Sequence, residues 1–84
     1  MKDVEFMNLC KEEVRADYLI QTGKRITTDD IYIVWYCKTL QNWKALVSTN
    51  RADGLYYECT YNGDKKQLYL DVYTKIENVC IPQE

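Results

Sequence analysis

Histidine does not occur in this chain of 84 residues. That absence removes the commonest general base and the commonest nitrogen ligand for zinc. The four cysteines, Cys10, Cys37, Cys59 and Cys80, stand far apart with no CxxC pair, so the usual metal-binding spacings are missing too. Glycine is confined to Gly23, Gly54 and Gly63, each alone in a turn-like context, which leaves no phosphate-cradling loop. Neither a metal nor a cofactor is expected. Lys24-Arg25 and Lys65-Lys66 are the densest basic pairs, both have acids nearby, and the net charge is −2. A nucleic-acid partner needs a basic stripe, so it is disfavoured. No apolar run approaches the ~20 residues of a membrane span, and no secretory segment precedes Asp3. Reduced, buried cysteines in a cytoplasmic protein are the expectation.

What the chain does have is tyrosine, eight residues against a single phenylalanine. Tyrosine packs its ring while keeping its hydroxyl near water, which suits half-buried sheet faces and contact surfaces. The length fits one domain, residues 1–84, near the lower limit for folding on a hydrophobic core alone. An apolar fraction of 46% is enough to argue against disorder.

Asp3 is a plausible N-cap with Glu5 in the first turn behind it. Phe6, Cys10, Val14 and Tyr18 then repeat at i, i+4, widened by Met7, Leu9, Leu19 and Ile20. Lys2, Lys11, Glu12, Glu13, Arg15 and Asp17 take the solvated side. Gly23 is a natural helix stop, so one helix is predicted from Asp3 to Thr22. Thr28-Asp29-Asp30 reads as a helix cap as well as a turn. The β-branched and aromatic run after it favours a strand from about Ile31 to Leu40. Gln41-Asn42 reverses the chain into a second strand, Trp43 to Thr49. After the polar turn Asn50 to Gly54, Leu55 to Tyr61 alternates as a third. Asn62-Gly63 is a strong hairpin signal, and Gln67 to Tyr73 forms the fourth. Lys75 to Ile81 either extends that strand or closes the fold, and Pro82 ends regular structure.

The fold class is therefore α+β, one N-terminal helix packed on a four-stranded antiparallel β-meander. The helix is expected over Ile31, Ile33, Trp35, Val47, Leu68, Leu70 and Val72. The opposite face would carry Tyr32, Val34, Tyr36, Lys38, Lys44, Leu46, Tyr56, Glu58, Tyr69, Asp71 and Tyr73. The run Ile31 to Leu40 is apolar or aromatic on both alternating faces, yet a chain this short can cover only one of them well. The face left over is the candidate site. Its proposed contact residues are Tyr32, Tyr36, Lys38, Tyr56, Glu58, Tyr69, Asp71 and Tyr73.

Catalysis has weaker support. Cys37 precedes Lys38, but adjacent strand residues point to opposite faces, so the lysine is poorly placed to activate the thiol. Glu58 and Asp71 are expected as neighbours on the third and fourth strands, where ion pairing with Lys38 or Lys44 explains them better than acid–base work. No catalytic residue is assigned. The alternative reading is a small enzyme or ligand binder built from Cys37 or Cys59 with Glu58 and Asp71. A second alternative is weak nucleic-acid binding by base stacking on the tyrosines.

Two segments are distinctive in wording: Ile-Val-Trp-Tyr-Cys-Lys-Thr-Leu-Gln-Asn-Trp-Lys-Ala-Leu-Val-Ser-Thr (33–49) and Asp-Gly-Leu-Tyr-Tyr-Glu-Cys-Thr-Tyr-Asn-Gly-Asp-Lys-Lys-Gln-Leu-Tyr-Leu-Asp-Val-Tyr (53–73). With Phe-Met-Asn-Leu-Cys-Lys-Glu (6–12) they resemble a family of small uncharacterised proteins carried by phages and prophages of low-GC Gram-positive bacteria. The resemblance spans nearly the whole chain. It implies an intracellular phage product in a bacterial host. Small accessory phage proteins of this kind act by binding a host protein or blocking a defence system, which is an analogy of class. The expected function is a non-enzymatic protein-binding module whose partner is a host or phage protein, or a second copy of itself in a homodimer.

Overall fold

The computed structural model describes residues Met1–Glu84 as one helix, a short 3₁₀ turn and four strands: α1 (Asp3–Thr22), the turn Thr28–Asp30, β1 (Ile31–Thr39), β2 (Asn42–Thr49), β3 (Leu55–Asn62) and β4 (Gln67–Thr74). The strands form one antiparallel sheet in the order β1-β2-β3-β4, the meander expected of an α+β fold. No helix is long and apolar enough to cross a membrane.

α1 buries Phe6, Cys10, Val14 and Tyr18, the i, i+4 stripe. It ends at Gly23, whose φ of 73° no β-carbon opposes and whose N–H donates to the Leu19 carbonyl at 2.8 Å. At the other end the cap is Lys2 rather than Asp3. The Glu5 carboxylate accepts the Lys2 backbone N–H at 3.2 Å, one half of a capping box. A lysine side chain has no acceptor to complete the other half. Asp3 is spent elsewhere, accepting the Tyr36 hydroxyl at 2.7 Å.

The aspartates before β1 make a single 3₁₀ turn and no second helix. Asp30 accepts the Thr27 N–H at 3.0 Å and the Asn50 side-chain amide at 3.1 Å, and lies 3.6 Å from Arg51. It ties the entrance of β1 to the exit of β2. The Thr27 N–H above all, with the Asn50 amide, holds its carboxyl below the usual carboxylate range.

The meander is interrupted once. Ile33 pairs with Val47, but the next pair is Trp35 with Leu46, so Val34 is an extra residue in a β-bulge. A one-residue insertion exchanges the two faces of everything beyond it. Ile31 and Ile33 lie on the helix side as expected. Past the bulge, Tyr36 and Lys38 join them and Trp35 and Cys37 turn outward, which corrects the assignment of all four. Tyr36 pairs with buried Ala45 and its ring lies 6.3 Å from that of Trp43, while the Lys38 ammonium sits 5.0 Å over the Trp43 ring.

The core is where α1 lies across the sheet, nearest β1 and β2. Phe6 packs on Trp43 with ring centroids 5.1 Å apart, and Val14, Cys10 and Tyr18 cover Ile31, Ala45, Val47, Tyr57 and Cys59. Each large apolar side chain removed from water here contributes roughly 1.5–3 kcal/mol before chain entropy is counted. Leu68 and Leu70 of β4 are half-buried against this core, whereas Val72, expected beneath the helix, is exposed. The helix does not reach that corner. Two cysteines are buried, Cys10 and Cys59; Cys37 and Cys80 are exposed, against the expectation for all four.

Reversals differ in detail from the sequence expectation. The β1–β2 loop is Leu40-Gln41, since Thr39 pairs with Asn42, and Leu40 takes the left-handed conformation (φ 57°). The β3–β4 loop spans four residues, because Asn62 pairs with Gln67, and its left-handed residue is Lys66 (φ 52°). The Asn62 side chain accepts the Asp64 and Lys65 N–H groups at 3.0 and 3.2 Å, an Asx turn in place of the two-residue hairpin. Gly63 is needed for proximity rather than for φ. A β-carbon there would lie 2.1 Å from the Gln41 carbonyl oxygen. After β4 the Lys75 N–H donates to the Gly54 carbonyl at 2.8 Å, and residues 76–84 form neither a strand extension nor a closing segment.

Two stability predictions follow from the core and this loop. Gly63→Ala should cost about 1–3 kcal/mol in chemical denaturation despite an ordinary φ, because the two hairpin loops must separate. An unchanged midpoint would show that they part freely. The Tyr57 hydroxyl is buried without a partner, so Tyr57→Phe should leave stability unchanged or raise it by up to about 1 kcal/mol. A clear loss would mean the hydroxyl is satisfied, as through a water to the nearby Asp17 carboxylate.

Candidate functional site

The face of the sheet turned away from α1 is uncovered, and the strand register lays it out in three rows. Tyr32, Ser48, Tyr56 and Tyr73 lie across one end. Trp35, Leu46, Glu58 and Asp71 cross the middle, and Cys37, Lys44, Thr60 and Tyr69 follow. Alternation along each strand puts these side chains on one surface. The Tyr56 and Tyr73 rings stack with centroids 5.1 Å apart and 13° between planes. Trp35 remains 46% exposed and Tyr69 54%, far above what a core aromatic shows.

Of the eight residues expected to form the contact surface, six lie on it: Tyr32, Tyr56, Glu58, Tyr69, Asp71 and Tyr73. Tyr36 and Lys38 do not, because the bulge turns them toward α1 and Trp43. Trp35 and Cys37 take their places on the outer face. No glycine or charge marks the bulge in the sequence. The only sign was the two-sided apolarity of Ile31 to Leu40, a pattern that leaves the strand free to exchange faces partway.

The charges on this face largely answer one another. Lys44 lies 3.0 Å from Glu58, and that carboxylate, by hydrogen bond and charge, raises the lysine pKa. Glu58 pairs directly with Asp71 across β3 and β4. Its charge, with some burial and Asp71, pushes the Tyr73 phenol up as well. The Tyr69 hydroxyl donates to Gln67 at 3.0 Å. A carboxylate engaged by an ammonium on an open surface, with no hollow to hold a substrate beside it, is poorly placed for acid–base work.

The thiols divide by face. Cys59 is buried under α1 beside Cys10, and its contact, ahead of burial, pushes the Cys10 thiol well above its ordinary range. Adjacent strand positions place it opposite to Glu58, so the two cannot act together. Cys37 shares the outer face with Glu58 and Asp71 and sits across from Lys44. The only hollow beside it is shallow and open, lined by Thr39, Asn42, Trp43, Lys44 and Thr60.

A second polar cluster lies near the end of α1. Tyr18 donates its hydroxyl to Asp53, which also accepts the Leu55 N–H at 3.0 Å. The bond to Asp53, more than burial, raises the Tyr18 pKa. Burial opposes ionisation of Asp53, but the Tyr18 hydroxyl and the backbone N–H of Leu55 outweigh it and hold that carboxyl low. Tyr57 beneath is pushed up to about 12 by burial and by the charges of Asp17 and Asp53. Lys24, Arg25 and Arg51 rim a cleft of about 370 Å³ here, but Asp53 is also in its lining and Arg51 faces Asp30. That arrangement braces the helix end against the β2–β3 loop and presents no free anion cradle.

Thiol reactivity separates binding from chemistry. With an alkylating reagent at neutral pH, Cys10 and Cys59 should resist until the protein unfolds, and Cys37 should label no faster than Cys80, a built-in reference in the C-terminal segment. A Cys37 that outran Cys80 about tenfold would point to an activated thiol.

Residues 7–83 match the model of a family of unknown function (DUF6275). No curated protein and no solved structure matches the chain. The match takes in all four strands and all but the first turn of α1. The chain belongs to the family of unknown function DUF6275.

Proposed function

We propose that this protein is a non-enzymatic protein-binding module that docks its partner on the outer sheet face, around Tyr32, Trp35, Tyr56, Tyr69 and Tyr73. One observation carries the reading: a face of aromatic side chains, half-exposed and with nothing over it, in a chain whose single helix is committed to the other side. Exposed aromatic patches with a few polar groups are what protein interfaces are built from. Lys44 and Glu58 neutralise each other, and Asp71 adds a negative charge, so the face lacks the field a nucleic-acid backbone requires.

The resemblance in wording to small phage and prophage proteins of low-GC Gram-positive bacteria supports a more specific setting. In it the chain works in the cytoplasm of a bacterial host, as an accessory protein that modulates a host protein or inhibits a defence system.

The test is a tagged chain expressed in such a host together with an untagged copy, with retained proteins identified by mass spectrometry. Trp35→Ala and Tyr69→Ala should each reduce retention of the specific partner at least tenfold, as truncation of an interface anchor does. Their melting temperatures should shift by only a few degrees, because both side chains lie outside the core. Retention that is indifferent to both substitutions would remove the outer face from consideration.

A further inference from the structure

A second apolar surface stands without cover. Beyond Lys75 the chain leaves the line of β4, and Ile76 is 97% exposed, with Val79 and Ile81 exposed after it. None of the three belongs to the core that α1 closes over the sheet. The chain as a whole exposes 6185 Å², where a monomer of 10.0 kDa is expected to expose about 5,200 Å². The surplus, on the order of 1,000 Å², is close to the ~800 Å² that one subunit contributes to a standard interface. The radius of gyration, 14.1 Å, likewise exceeds the ~12 Å of a compact chain of this length.

We infer that the cover is a second copy of this chain, in a two-fold dimer where residues 76–81 of each copy lie on the outer sheet face of the other. This rests on the reading of that face as a docking surface and names its occupant. Six extended residues reach about 20 Å, enough to cross a four-stranded sheet about 14 Å wide. The charges permit self-association. On the face Lys44 and Glu58 pair and leave Asp71, and in the segment Glu77 is balanced by Lys75 at its root, so no strong like-charge field stands between the two surfaces. A two-fold axis makes the exchange reciprocal and closed, so association stops at the dimer.

The chain's own cysteines provide the test. Cys37 lies on the outer face and Cys80 in the segment, while Cys10 and Cys59 are buried. Protein labelled with ¹⁵N is mixed with unlabelled protein, treated with a short bismaleimide, and digested for mass spectrometry. Sedimentation should show a dimer at micromolar concentration. Cys37–Cys80 cross-links should join one light and one heavy peptide in the proportion expected of free mixing. They should disappear in Cys37→Ser and in Cys80→Ser. The full-length double variant Ile76→Asp/Ile81→Asp changes only exposed side chains; it should keep its far-UV circular dichroism and raise the dimer dissociation constant at least tenfold. Three results would overturn the inference: a monomer up to about 100 μM, Cys37–Cys80 links confined to chains of one isotope, or a dimer indifferent to the double variant. A monomer that still retains a host protein in a Trp35-dependent way overturns the dimer and leaves the docking face standing. A dimer indifferent to Trp35→Ala, Tyr69→Ala and the double variant, with no Trp35-dependent retention of a host protein, overturns both.

Discussion

One helix has to serve a four-stranded sheet, and every other feature of this protein follows from how far that helix reaches. Its stripe of Phe6, Cys10, Val14 and Tyr18 is a single residue wide at each turn, enough to seal the centre of one face over Ala45, Val47, Tyr57 and Cys59. β4 lies at the margin of that cover, so its helix-side residues are half-buried at best and Val72 is exposed. The other face receives nothing at all. Small domains are held back by their surface-to-volume ratio, and here the shortfall is concentrated on one side.

Trp43 anchors the covered side. Phe6 from the helix and Tyr36 from β1 both pack on its ring, Lys38 lies over it, and the Tyr36 hydroxyl continues to Asp3 at the helix start. These contacts explain why β1 carries a bulge. An uninterrupted strand would direct Trp35 and Cys37 toward the helix and send Tyr36 and Lys38 outward. That would give up the stack on Trp43, the cation over its ring and the partner of Asp3. Inserting Val34 forfeits regular pairing at one position and restores all three. The same insertion moves an indole to the open face, so the packing that completes the core also enriches the surface proposed for docking.

The polar ends of the structure are organised for bracing. Asp30 joins the entrance of β1 to the exit of β2, and Asp53 joins the helix end to the start of β3 through Tyr18 and the Leu55 N–H. Both carboxylates are held ionised by donors aimed at them, a feature of structural acids as much as of catalytic ones. Lys44 and Glu58 join β2 to β3 on the open face. These carboxylates and Lys44 are thus engaged in bracing neighbouring elements.

How much of this was legible beforehand depends on the range of the interactions involved. The helix from Asp3 to Thr22, its stop at Gly23, the four strands and their meander order rest on local chemistry: apolar period, a residue free to take positive φ, β-branched and aromatic runs between polar turns. Those are properties of neighbouring residues, and the sequence alone determined them, together with the fact that one sheet face would lack cover. The bulge at Val34, the left-handed Leu40 and the close approach of Gly63 to Gln41 are settled by contacts between strands and with the helix. In β1 both faces are apolar, so alternation favours neither register, and only Trp43, Phe6 and Asp3, distant in sequence, select one. The tertiary structure alone decided that Trp35, and not Tyr36, stands on the open face, because a strand hydrophobic on both sides takes its orientation from what packs against it.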